Sequence, residues 1–322
     1  MKAFPKFAFL FICLAATYPS STLSAQEKQT VMFWNLENFF NPYDDPVKND
    51  DDFTPAGSYH WTWKRWEVKK NAIAKAIMAV KEGERDYPFL VGVCEVEDKV
   101  VVRKLTEETS LYKLGYRFIH RESPDTRGID VALLYREERF TPTEIKTLRV
   151  SMPRGKKTRD ILYVKGVETA TRDTLHVLTV HWPSKGGGEQ ASLPGRIAAA
   201  RTLTGTTDSI LAVSPAARIV VMGDFNDTPL SKPLLAATCS GLTDLAIPLA
   251  LAHKGTLRYQ GNWEIIDHFL VSDALAKHKM TIFDPDFLLE EDTKFLGQKP
   301  FRTYYGPRYN GGVSDHLPIL LE

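Results

Sequence analysis

Short apolar runs recur along this chain, and one after another they stop at an acid, an amide or a histidine. Val31-Met32-Phe33-Trp34 leads into Asn35 and Glu37, Leu90-Val91-Gly92-Val93 into Glu95, and Val177-Leu178-Thr179-Val180 into His181. Ile219-Val220-Val221-Met222-Gly223 leads into Asp224, Asn226 and Asp227. Runs this short, rich in β-branched and large apolar residues, read as strands buried on both faces. A chain built of them must stack sheets on one another or under helices to keep those faces from water. Positions i and i+2 of a strand share a face, so Asp224 and Asn226 project to the same side. Gly223 lets the backbone turn there or approach another group closely. A carboxylate that can take a proton, beside an amide that bonds without titrating, suits the activation of a water molecule. For this segment alone a plain β-turn is the simpler account, because Gly, Asp and Asn favour turns. The repetition of polar strand ends is what points to chemistry.

The other elements set the layers. Residues 64–81 place Trp66, Ala72, Ile73, Ala76, Ile77 and Val80 at helical spacing, as an amphipathic helix does. Residues 100–114 and 194–212 read as further helices, and 116–120, 131–135, 161–168, 175–180, 265–271 and 317–321 as strands. Strands alternate with helices at first and then dominate, with fewer helices than a doubly wound sheet of this size needs. Residues 163–169 and 174–180 look hairpin-connected and antiparallel. The expected architecture is α/β: two mixed sheets packed face to face with helices outside. No linker or fixed-period repeat divides residues 26–322, which read as one domain.

The first 25 residues carry a basic start at Lys2 and Lys6, an apolar run over 7–16 and a small, polar stretch ending Leu23-Ser24-Ala25. That is the pattern of a secretory signal peptide cut after Ala25, which implies export to a periplasm or beyond. The apolar run falls short of the roughly 20 residues that span a bilayer, and Ile12 before Cys13 disfavours lipid attachment. Without Lys2 and Lys6 the formal net charge of +1 turns slightly negative. A broad basic footprint for duplex binding is thereby disfavoured, though not an enzyme that grips a few phosphates. Cys94 sits in an apolar strand and reads as a buried thiol, and its spacing from Cys239 gives no support to a disulfide.

Each polar strand end has an ordinary explanation. Glu95 reads as an exposed loop acid, Asn35 and Ser314-Asp315-His316 as turns, His181 as a satisfied histidine. Asp267 is different, because it interrupts Ile265-Ile266-Asp267-His268-Phe269-Leu270. An unpaired carboxylate there is costly to bury, so a partner is implied, with His316 a candidate. Together the ordinary explanations require every polar end to be a coincidence.

In this order, Trp34-Asn35-Leu36-Glu37-Asn38, Cys94-Glu95, Val180-His181-Trp182-Pro183-Ser184, Gly223-Asp224-Phe225-Asn226, Ile266-Asp267 and Ser314-Asp315-His316 resemble the motif series of the endonuclease/exonuclease/phosphatase superfamily. The resemblance covers essentially all of residues 26–322. It implies a four-layer sandwich with its site at one edge of the paired sheets. It also implies a Mg²⁺-dependent hydrolase of phosphate esters (Mn²⁺ being the alternative ion), foremost a nuclease acting on DNA or RNA. By the same resemblance Glu95 is the principal metal ligand, Asn35 its neighbour, Glu37 a second acid and Asp315 a further one. Asp224 is the base for the attacking water and Asn226 its companion. His316, paired to Asp267, contacts the scissile phosphate, and His181 faces the phosphate or leaving group. Thr179 stands where many members carry Asn, and Ser184 where some DNA-repair members do, which weakens an apurinic-site activity.

The set makes physical sense without the name. Mg²⁺ is hard and takes oxygen ligands while keeping several waters. Zinc lacks a Cys pair or His-rich spacing, and no Gly-x-Ser-x-Gly elbow marks a serine hydrolase. Arg196, Arg127 and Ser184 are candidates for the substrate phosphate. The basic loop 154–159 is either a solvated hairpin turn or a track for a nucleic-acid backbone. Trp61, Trp63 and Trp66 are either core or a stacking platform. Other outcomes are a phosphatase or phospholipase C-type enzyme acting on inositol phosphates or sphingomyelin, and a non-catalytic secreted binding protein. A monomer with no membrane span is expected.

Overall fold

The computed structural model describes residues 1–2, 29–82, 85–239 and 241–322. Apart from its first two residues, the expected signal segment lies outside the described residues. The strands are β1 (Val31–Phe39), β2 (Leu90–Val96), β3 (Tyr116–His120), β4 (Asp130–Arg136), β5 (Phe140–Leu148), β6 (Ile161–Glu168), β7 (Thr174–His181), β8 (Arg218–Asp224), β9 (Leu242–Asp244), β10 (Leu257–Tyr259), β11 (Asn262–Glu264), β12 (Asp267–Ser272), β13 (Met280–Ile282), β14 (Leu289–Glu291), β15 (Gln298–Pro300), β16 (Tyr304–Tyr305), β17 (Arg308–Tyr309) and β18 (Ile319–Leu321). The helices are α1 (Trp63–Ala79), α2 (Lys99–Glu107), α3 (Glu189–Val213), α4 (Lys232–Thr238) and α5 (Ile247–Leu251).

One sheet runs β13-β18-β1-β2-β4-β3 and the other β5-β6-β7-β8-β12-β9. Each is mixed: β1 and β2 are parallel in the first, β7 and β8 in the second, and the remaining pairs antiparallel. Phe33, Leu90 and Leu133 meet Leu162, Val177, Met222 and Phe269 between the sheets. Trp34, Val91 and Val93 turn outward onto Trp66, Ile73 and Ile77 of α1. Leu178, Val180 and Val221 turn outward onto Ala199, Ala200 and Leu203 of α3. The strands are apolar on both faces because each face is covered, one by the opposing sheet and one by helices. The expected two-sheet sandwich with outer helices is what forms, and β6 and β7 are the expected antiparallel pair.

Strand parity positions the site. Val31 and Phe33 face the inter-sheet core, and Asn35 continues their parity; so does His181 after Leu175 and Val177, and Asp224 after Val220 and Met222. Asp267 precedes inward-facing Phe269 and Val271. These polar side chains therefore open the inter-sheet layer where its apolar filling stops. In register, Asp224 lies opposite His181 on one side and Asp267 on the other.

Gly223 serves close approach rather than a turn. A Cβ there would lie 2.2 Å from Val180 Cγ2 and 2.3 Å from the Val180 carbonyl oxygen. Gly223→Ala must push β7 from β8 and should cost more than the ~1–3 kcal/mol usual for overpacking. Urea unfolding measures this, and a wild-type midpoint would refute it.

His268, fully buried in β12, donates from Nδ1 to Asp244 (3.0 Å) and from Nε2 to the Asp227 carbonyl (2.9 Å). Burial alone would lower its pKa, but Asp244 outweighs burial and raises it above 6.5. With the folded pKa above the unfolded one, its stabilisation is full below pH 6.5 and lost as pH rises through the folded value. Stability of His268→Gln should therefore fall less steeply than wild type above neutral pH. Parallel urea-unfolding curves across a pH series would count against this.

Some elements have little sequence signal. Strand β5 is largely exposed, with an apolar residue only intermittently inward and Pro142 within it. The expected helix over 100–114 ends at Glu107, and a 3₁₀ turn over Ser110–Leu114 follows. Trp61 and Trp66 are buried core, as the packing account of that cluster requires, and Trp63 is partly exposed. Cys94 is buried, Cys239 exposed, and no disulfide joins the two. Among the described residues no helix is long and apolar enough to cross a membrane.

Candidate active site

A cleft of about 550 Å³ opens at the polar edge of the two sheets, lined on one side by Asn35, Glu95, His181, Asp224, Asn226 and His316. Asp224 is its buried centre. Its Oδ2 accepts from the Asn35 side-chain amide (3.0 Å) and its Oδ1 from the Asn226 backbone N–H (2.8 Å). Nε2 of His181 and of His316 lie 3.6 and 3.9 Å from the same Oδ2. Asn226, at φ 49°, donates its amide to the Trp182 carbonyl (3.0 Å), which fixes it beside Asp224. His316 Nδ1 meets Asp267 Oδ2 at 2.8 Å, the pairing expected from the buried position of Asp267. Thr256 donates its hydroxyl to the same oxygen. Ser314 Oγ donates to the Asn35 carbonyl and accepts from the His316 N–H, so it ties the last motif to β1.

Glu95 reaches the cleft by a backbone irregularity. The pairing of β2 shifts register between Cys94 and Val96, and Glu95 has φ 59°. A bulge of this kind re-aims a side chain. Its Oε2 accepts from the Asn38 N–H (2.7 Å), while Oε1 lies 3.6 Å from the Arg127 guanidinium and 3.8 Å from His181 Nε2.

The two histidines differ electrostatically. Burial, then Arg159, Arg127 and His316, hold His181 well below its ordinary pKa. Burial would do the same to His316, but Asp267, with Asp224 and Asp315, raises it well above. Burial also pushes Asp224 up to about 7 against the opposing influence of His316. The site thus holds a neutral imidazole, an imidazolium and a carboxylate poised near neutrality.

The donor set fits a hard divalent cation. Glu95 Oε1 has no hydrogen bond among the described residues, and Asn35 and Asp315 bring further oxygens to the same cleft. Cys94 lies within ligand reach of His181 and Asp224, and burial holds its thiol pKa well above the ordinary range.

Two expectations are corrected. Arg196 is fully buried, its Nε bonded to Asp227 (2.9 Å) and its Nη1 to Ser192 (2.8 Å), so it holds the loop after β8 and not a substrate phosphate. Arg196→Ala leaves the Asp227 carboxylate with Lys185 at 3.5 Å and the Thr228 N–H at 3.2 Å and should cost about 3–5 kcal/mol in urea unfolding; a loss within error would refute that role. Glu37 does not line the cleft. Its Oε1 pairs with Arg302 (3.1 Å) and its Oε2 accepts from the Thr303 N–H (2.7 Å), because the backbone after Asn35 turns through φ 46° at Glu37 and 52° at Asn38. Arg127 and Ser184 do line the cleft. Arg154, Lys156 and Lys157 are exposed, whereas Arg159 is buried and donates to the Trp182 carbonyl (2.6 Å). Missed from sequence were Arg302, which bridges Glu37 and Asp315 (3.1 Å), and Lys69, fully buried and bonded to Thr303 (2.8 Å). Neither belongs to a motif.

Residues 30–322 match the model of the Endonuclease/Exonuclease/phosphatase family. No curated protein matches the chain. Among solved structures, an endonuclease/exonuclease/phosphatase family protein from Bacteroides thetaiotaomicron superposes with a TM-score of 0.59 at 16% identity, over 91% of this chain and 96% of that one. A mannosyl-6-phosphatase from the same organism gives 0.59 at 15% identity, over 92% and 99%. Truncated TDP2 from Caenorhabditis elegans gives 0.58 at 18%, over 91% and 96%. At such identities the likeness is one of fold. The family match runs through every strand end that builds the cleft, and the chain belongs to the endonuclease/exonuclease/phosphatase family of hydrolases acting on phosphate esters.

Proposed function

We propose that this chain is an exported, Mg²⁺-dependent phosphoesterase in which Asp224 activates the attacking water. The observation that carries this reading is the placement of Asp224 between Asn35, His181 and a charged His316 in one open cleft. Glu95 and Asn35, with Asp315 nearby, would hold the ion. When bound, it polarises the phosphorus and offsets charge growing on the phosphate oxygens. Asp224 takes the proton of the water as its oxygen attacks phosphorus, and its pKa of about 7 suits a base at neutral pH. Asn226 orients the same water. His316, kept protonated by Asp267, stabilises the phosphate and supplies a proton to the departing alkoxide as the ester P–O bond breaks. Neutral His181 offers a hydrogen bond without adding charge.

The cleft volume suits a small ester. Its Arg127 and Lys185 are interspersed with Glu95, Glu264 and Asp315, so it forms no continuous basic track. The nuclease reading is the second one, favoured by exposed Arg154, Lys156 and Lys157. Hydrolysis of p-nitrophenyl phosphate and bis-p-nitrophenyl phosphate with Mg²⁺, Mn²⁺ or chelator tests the chemistry, and no turnover with either ion would end it. Cleavage of plasmid or single-stranded oligonucleotides, falling steeply with added salt, would favour the nuclease.

A further inference from the structure

Part of the cleft wall is a hairpin that hydrolysis of a phosphate does not itself require. Strands β10 and β11 pair Leu257 with Glu264 and Tyr259 with Asn262. Their two-residue turn, Gln260-Gly261, has φ 46° and 83°, the positive values of a tight hairpin turn. Parity then puts Leu257, Tyr259 and Glu264 on one face, and all three line the cleft. The other face is anchored. Arg258 donates to the Gly261 carbonyl (3.1 Å), the Gln298 carbonyl (2.7 Å) and the Leu296 carbonyl (2.7 Å), while Trp263 packs on the α1-side core. Leu257 bridges to His316, and the Leu317 N–H donates to the Thr256 carbonyl (2.8 Å). The hairpin is thus fixed rigidly beside the reacting groups.

What it presents is unusual for a phosphate site. Tyr259 is 59% exposed although it lines a cleft. Glu264 is half-buried, and no hydrogen-bond donor among the described residues meets its carboxylate. A carboxylate accepts only, and it repels phosphate, so its partner in a complex must be a donor on the non-phosphate part of the substrate. An exposed aromatic ring alongside takes the flat apolar face of a ring. A hydroxyl-bearing ring satisfies both demands, with its C–H face on Tyr259 and its hydroxyls on Glu264. Resting on the phosphoesterase reading, we infer that Tyr259 and Glu264 form a subsite for the sugar ring of a sugar phosphate ester.

The test compares glucose 6-phosphate, mannose 6-phosphate and ribose 5-phosphate with p-nitrophenyl phosphate, 5′-mononucleotides and an oligonucleotide, using the full enzyme with Mg²⁺ and following phosphate release and strand scission. The wild type should prefer at least one sugar phosphate over p-nitrophenyl phosphate. Tyr259→Ala and Glu264→Gln should each narrow that kcat/KM ratio by about tenfold or more, mainly through KM, and Tyr259→Trp should restore it. A preference below twofold, or ratios that both variants leave unchanged, overturns the subsite. Turnover confined to nucleotides or the oligonucleotide overturns it as well and assigns the wall to a base. Loss of activity on every substrate alike in the variants makes the hairpin structural. Absence of wild-type turnover on p-nitrophenyl phosphate and on every other substrate would instead refute the phosphoesterase reading itself.

Discussion

Asp224→Asn is expected to lower kcat on p-nitrophenyl phosphate by about 10²–10⁴-fold, the range ascribed to a positioned general base, with KM near wild type. The reasoning is differential. Asp224 is buried against Asn35 and Asn226, and its role as base is expressed in the transition state rather than on binding. Asn keeps the shape and can still bond Asn35 or Asn226, but it cannot take a proton. A purely structural Asp224 would lose stability and not rate. Steady-state kinetics together with urea unfolding separates the two cases. A variant with unaltered kcat would remove Asp224 from the chemistry.

Glu95→Gln carries the second large effect. Gln keeps an acceptor for the Asn38 N–H, now 2.7 Å from Oε2, but removes the charge beside Asn35. Loss of a Lewis-acid contribution of several kcal/mol corresponds to about 10³-fold in rate at limiting metal. Direct calorimetric titration of the variant with Mg²⁺ or Mn²⁺ should show affinity reduced at least tenfold, a readout independent of turnover. Excess metal should recover part of the rate. Equal affinity in the two proteins would place the ion elsewhere in the chain.

The polar side chains of the cleft were legible because they interrupt apolar strands. An inward-facing position is announced by its neighbours at i−2 and i−4, so Asn35, His181 and Asp224 follow from Phe33, Val177 and Met222. Asp267 was legible for another reason: a lone carboxylate between Ile266 and Phe269 demands a partner, and His316 is that partner. Parity misleads at Glu95 and Glu37, where positive φ breaks the alternation. It turns Glu95 into the cleft and commits Glu37 to Arg302 and Thr303. Whereas α3 begins at Glu189, the sequence places Arg196 near the start of a helix over 194–212, where it reads as a phosphate ligand. Only its complete burial against Asp227 shows otherwise.

By itself the amino-acid sequence determined the two-sheet sandwich, since doubly apolar strands have few other ways to be covered, and it determined which strand ends carry polar groups. Only the tertiary structure decided the pairings made at long range: Arg302 with Glu37 and Asp315, Lys69 with Thr303, and the β10–β11 hairpin as part of the cleft wall. Local periodicity records whether a residue is buried. It does not record which residue, hundreds of positions away, neutralises its charge, because that choice is made by packing and not by the neighbouring backbone.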